Sequence, residues 1–196
     1  MQQALAPTDG SLTFSDPVFL DALLQPRLAL FWGAHTSTRA LLAALSIFAA
    51  RGQALRVFDG GNCFDGYFVA RQARRFSSHP YAVLERIRLS RAFTCFQLAE
   101  LIENTPNDPE PLFVLSLLST FYDESVPLRD SERLLANTIR HLKRLAAAGP
   151  VIVGARQPQP LVQERWVLLD RLQAAADTTW LLRSPEEPVG AQPRLF

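Results

Sequence analysis

Leu28-Ala29-Leu30-Phe31-Trp32-Gly33-Ala34-His35-Thr36-Ser37-Thr38-Arg39-Ala40-Leu41-Leu42 is the stretch on which the fold turns. Its first five residues are apolar without interruption, as in a strand covered on both faces. The run 38–51 that follows has the apolar spacing of a helix, with Gly52 placed as its stop. A buried strand that passes through one short polar turn into a helix is the opening of a βαβ unit.

Working outward, the same alternation repeats. Residues 55–59 read as a second strand closed by Gly60-Gly61-Asn62, followed by helices over 66–76 and 80–88 and a short strand over 90–94. The spacing predicts a helix over 96–104, ending in the turn cluster 104–109, and then a strand over 112–115 buried on both faces. The longest helix is expected over 129–148, with Leu134, Leu135, Ile139, Leu142 and Leu145 as its apolar stripe. A strand over 151–153, a helix over 161–176 and a last strand over 178–182 complete the pattern. The predicted fold class is α/β, a twisted, mostly parallel sheet with helices on both faces, as one domain over 27–183. An irregular lead-in is expected over 1–26 and a flexible, proline-containing tail over 184–196.

Composition narrows the function classes. The 196 residues carry 20 Lys+Arg against 19 Asp+Glu, a formal net charge of +1, so bulk charge points neither to a polyanion nor to an acidic tail. Two cysteines, Cys63 and Cys95, make no disulfide framework and lack zinc-site spacing; buried thiols are expected, with no metal site. No secretory leader begins at Met1, and the apolar run 40–50 is too short to span a bilayer, so the expectation is a cytoplasmic protein without membrane contact.

The turn after Trp32 sits where a phosphate cradle belongs, between a strand and a helix N-terminus. Gly33-Ala34-His35-Thr36-Ser37-Thr38-Arg39-Ala40 aligns with the eight positions G-x-x-x-x-G-K-[ST], and only Gly33 matches. Thr38 replaces the second glycine, Arg39 the lysine that reaches the outer phosphates, and Ala40 the hydroxyl that ligates magnesium. Arginine keeps the charge but carries a bulkier planar fork. Gly33, His35, Thr36, Ser37, Thr38 and Arg39 are the residues of this degenerate cradle.

Further along stand Val57-Phe58-Asp59-Gly60-Gly61-Asn62-Cys63-Phe64-Asp65, then Ala73-Arg74-Arg75, then Leu84 to Leu98 with Ser90-Arg91-Ala92-Phe93-Thr94 at its centre. Taken together these stretches resemble the RecA-like recombinase superfamily, with weaker similarity over 27–183. The resemblance implies a RecA-like P-loop core, agreeing with the pattern read above. It also implies a magnesium-associated Asp after the strand 112–115, where this chain has Ser116, and a water-activating Glu two residues past the second-strand Asp, where it has Gly61. Without these groups no useful ATP hydrolysis is expected, since phosphate positioning, a metal and an oriented water are all needed.

The resemblance places DNA-facing loops at Phe121-Tyr122-Asp123-Glu124 and at 154–160, where Arg156 is the candidate nucleic-acid contact. It further implies assembly, as a homo-oligomer or with a catalytic relative. The first expectation is therefore a non-catalytic RecA-like partner in DNA recombination or repair, with no catalytic residues and no cofactor. The alternative is a divergent ATPase that binds ATP through Arg39 and displaced carboxylates, among them Asp59, Asp65, Asp123 and Glu124. A third reading is a doubly wound domain of another kind. The arginines at 71, 74 and 75 and those at 86, 88 and 91 form two clusters that read as solvated faces.

Overall fold

A computed structural model describes residues 17–33 and 38–182. Among them one sheet of six strands has the order β3-β2-β4-β5-β1-β6, and every pairing is parallel. The strands are β1 (Leu28–Gly33), β2 (Leu55–Asp59), β3 (Ile87–Arg91), β4 (Leu112–Leu115), β5 (Val151–Arg156) and β6 (Thr178–Leu181). The helices are α1 (Pro17–Leu23), α2 (Thr38–Ala50), α3 (Gly66–Phe76), α4 (Pro80–Glu85), α5 (Cys95–Glu103), α6 (Leu128–Ala146) and α7 (Trp166–Ala175). The expected α/β class is present, with the sheet wholly rather than mostly parallel.

Successive side chains of a strand point to opposite faces, and the core divides accordingly. Ala29, Phe31, Val57, Phe113 and Ile152 pack with α1, α2, α3 and α4. Leu28, Leu30, Phe58, Val114 and Val153 pack with α5, α6 and α7 on the other face. Central strands covered twice must be apolar throughout, which is why β1, β4 and β5 read as uninterrupted runs.

Local chemistry sets the helix ends. Gly52, at φ +94°, takes the left-handed conformation that ends α2 at little steric cost. Asp65 accepts from the Phe68 N–H at 2.8 Å and caps α3. Thr94 accepts from Gln97 N at 3.2 Å while Gln97 Oε1 accepts from Phe93 N, a reciprocal arrangement close to a capping box.

The differences from expectation are local. Within the lead-in expected to be irregular, α1 buries Leu20 and Leu23, and Phe19 stands edge-on to both Phe31 and Trp180. The strand expected over 90–94 is β3, three residues earlier, and residues 92–94 lead into the α5 cap. The helix expected over 161–176 is split into a 3-10 segment Pro160–Arg165 and α7, with Val162 outside helical φ/ψ. The tail 184–196 lies outside the described residues.

Candidate functional site

In open α/β sheets ligands sit beyond the carboxyl ends of the strands, where neighbouring strands lead to opposite faces. Such a place lies between β2, followed by α3 on one face, and β4, followed by α6 on the other. A second lies between β1, followed by α2, and β5, followed by α7. All the described candidate residues fall at these two places.

At the first, Asp59 is fully buried and fully engaged. Its Oδ1 accepts from Gly61 N at 3.2 Å and Cys63 N at 3.0 Å, its Oδ2 from Phe64 N at 2.9 Å, and Arg91 Nε stands 3.7 Å from Oδ2. The carboxylate thus folds the loop after β2 around itself. The Cys63 thiol donates to Asp59 Oδ1 at 3.3 Å, lies 3.4 Å from Ser116 Oγ and accepts from Thr38 Oγ1 at 3.6 Å. Burial pushes this thiol above its ordinary range, against the lowering effect of Ser116 and Thr38. The expectation of a buried thiol holds for Cys95, whereas Cys63 is half-buried.

Gly61 and Ser116 occupy the positions where the resemblance implies carboxylates, and they pack on each other. A Cβ at residue 61 would lie 2.6 Å from Ser116 Cβ and 3.1 Å from its Oγ, so position 61 accepts no side chain while Ser116 stays in place. Ser116 has φ 52° and ψ 47°, a left-handed conformation uncommon outside glycine. The remaining candidate carboxylates have other work. Asp65 is the α3 cap, and Asp123 accepts from Ser125 N at 2.9 Å; hydrogen bonds from Ser125 hold its carboxyl below the ordinary range. Glu124 is exposed. Among the described residues no group of three or more His, Cys, Asp or Glu side chains is placed to hold a metal ion.

At the second place, Gly33 pairs with Arg156 in the sheet register, and Gln157 N donates to Gly33 O at 3.0 Å. Thr38 is buried and Arg39 exposed, with its guanidinium 5.5 Å from the centre of the Phe68 ring. His35, Thr36 and Ser37 lie outside the described residues. Arg156 is half-buried, its Nε is shielded from solvent with no hydrogen-bond partner, and it lines an open cleft of about 490 Å³ with Gln157, Gln159, Gln163 and Trp166.

The structure ties together the loops after β4 and β5. Tyr122 donates its hydroxyl to Arg156 O at 2.9 Å, and burial raises the phenol well above its ordinary range, so the donor persists at high pH. Arg165, buried at the end of the 3-10 segment, donates Nη1 to Phe121 O at 2.7 Å and to Ser131 Oγ at 3.2 Å, and Nη2 to Val126 O at 2.7 Å. One guanidinium thereby clamps the segment 121–126, between β4 and α6, at both its ends. Sequence reasoning missed Arg165, because an arginine whose partners are backbone carbonyls leaves no local signal.

The two arginine clusters also part company. Arg91 pairs with Asp59 and Arg88 with Glu110, and Arg86 Nη1 donates to Ala49 O at 3.3 Å, so the members of that cluster have partners within the fold, although Arg88 and Arg91 remain exposed as expected.

Fold and site together define, among the described residues, an α/β protein with one all-parallel sheet whose strand ends carry a polar cluster closed on itself. Comparison with protein-family models gives no match, and neither does comparison with curated proteins. Among the described residues no helix is long and apolar enough to cross a membrane.

Proposed function

We propose that this chain is a non-catalytic RecA-like protein that serves as a binding or assembly partner in DNA recombination or repair. The observation that carries the proposal is the packing of Gly61 on Ser116 beside Cys63, at the positions where the resemblance implies the water-activating and metal-associated carboxylates. The frame of a strand that ends at Gly33 and a helix that starts at Thr38 supports the P-loop part. Within that frame Thr38 turns its hydroxyl to the Cys63 sulfur, and Arg39 lies against Phe68. The divergent-ATPase alternative loses support because Asp59, Asp65 and Asp123 already hold backbone N–H groups. The DNA part rests on the family likeness and on the cleft where Arg156 offers charge beside Trp166 for stacking.

Parallel thermal melts test this reading, because a ligand that binds only the folded state raises Tm by mass action. Millimolar Mg·ATP is expected to leave Tm unchanged, while a single-stranded oligothymidylate raises it, less so as salt increases. A magnesium-dependent rise with ATP overturns the non-catalytic reading, and no rise with DNA overturns the DNA assignment.

A further inference from the structure

The guanidinium groups of α3 carry an inference beyond the strand ends. Tyr67, Arg71, Arg74 and Arg75 recur at intervals of three and four along α3, which puts them on one face, opposite the buried Val69, Gln72 and Ala73. All four are exposed, Tyr67 at 79%. Arg39, at the start of α2, adjoins this face: its guanidinium and that of Arg71 lie 5.5 and 5.6 Å from the centre of the Phe68 ring. Resting on an aromatic ring limits the freedom of both groups and leaves their N–H edges available.

None of these arginines forms an ion pair among the described residues. α3 contains no acidic residue. Several other arginines do have carboxylates, Arg51 with Asp21, Arg56 with Asp108 and Glu110, Arg91 with Asp59 and Arg171 with Glu132, while the buried Arg165 is held by the carbonyls of Phe121 and Val126 and by Ser131 Oγ. Arg74 and Arg75 do favour the last turn of α3 through its dipole, but that effect does not need Arg71, Arg39 or an exposed tyrosine.

We infer that the outer face of α3, with Arg39, is a docking surface for an acidic segment of a protein partner. Exposed arginine and tyrosine side by side, without lysine or carboxylate, is the composition of interface hot spots. Acidic-motif capture by arginine clusters is a recurring mode of peptide recognition. A nucleic acid is the poorer match, because the chain's net charge of +1 leaves no extended positive field and the charge here is confined to one helix and its neighbour. The inference deepens the assembly reading by naming the partner's chemistry. Its test reads peptide binding and needs neither ATP nor a catalytic relative, so either idea can fail alone.

The probe is a fluorescein-labelled peptide of about twelve residues, Asp and Glu interrupted by two Phe, followed by anisotropy against the full chain. A counterpart with Asn and Gln in place of the acids is run beside it. The acidic peptide is expected to bind, and Arg71→Gln/Arg74→Gln/Arg75→Gln to weaken it about tenfold or more. Tyr67→Ala should weaken it about fivefold or more, whereas Arg171→Gln on the other face should leave it unchanged. Circular dichroism checks that each variant is folded; these side chains are exposed, and the α3 substitutions remove no salt bridge among the described residues. Equal binding of the neutral peptide, or unchanged affinity in the triple variant, overturns the proposal. So does oligothymidylate binding that is tighter than peptide binding and is lost in the triple variant.

Discussion

Replacing Asp59 by alanine is expected to cost about 3 to 5 kcal/mol of folding stability, read as a fall in urea midpoint at nearly constant m-value. The carboxylate is fully buried and receives three backbone N–H groups, those of Gly61, Cys63 and Phe64. Alanine leaves all three donors, the Cys63 thiol and the nearby Arg91 without their acceptor. Each buried donor so stranded costs about 1 to 3 kcal/mol, reduced where water reaches the loop. If Asp59 were instead a displaced magnesium ligand kept apart from structural bonds, its removal would relieve an unpaired buried charge and leave stability unchanged or raised. A loss below about 1 kcal/mol therefore speaks against the structural role assigned to it.

Arg165→Ala is expected to be comparably damaging, again about 3 to 5 kcal/mol by urea unfolding. This guanidinium is 3% exposed and supplies donors to Phe121 O, Val126 O and Ser131 Oγ. Its loss strands two carbonyls and leaves a cavity between the loop after β4 and α6. Arg165→Lys should recover only part of the loss, because a single ammonium cannot span both carbonyls as the fork does. Hydrogen exchange should show the loop at 121–126 opening first in the lysine variant. Full stability in Arg165→Lys would mean that the charge alone, and not the two-ended clamp, holds the loop.

How much of this was legible in the sequence depends on where each residue's environment comes from. β1, β2 and β4 match the runs read for them to within one residue, because strands buried on two faces are mainly apolar and that constraint is local. β5, by contrast, runs three residues past the expected 151–153, so Gly154, Ala155 and Arg156 belong to the sheet and not to the loop expected over 154–160. β3 was displaced because it lies at the sheet edge. Its residues Ile87-Arg88-Leu89-Ser90-Arg91 mix charge with apolar side chains, and its register is set by pairing with β2. α1 was missed for a related reason: seven residues have little helical stability of their own, and the helix is held by Leu20 and Leu23 in the core.

The strand-end site divides in the same way. Thr38 and Arg39 open α2 as the reading placed them, whereas Gly33, read as the first residue of the turn, is the last residue of β1. The contact of Cys63 with Ser116 joins residues 53 apart, and the obstruction at Gly61 arises only once β2 and β4 are neighbours. Absent carboxylates could be read directly from the sequence. The closed packing at the positions where the resemblance implies them could not.

That packing is also what the central claim rests on, and a crystal of the wild-type chain grown with Mg·ATP probes it most directly. The account predicts strand ends without a triphosphate, with the Cys63 sulfur still in contact with Thr38, Asp59 and Ser116. A triphosphate seated against Arg39 with a coordinated cation would contradict it.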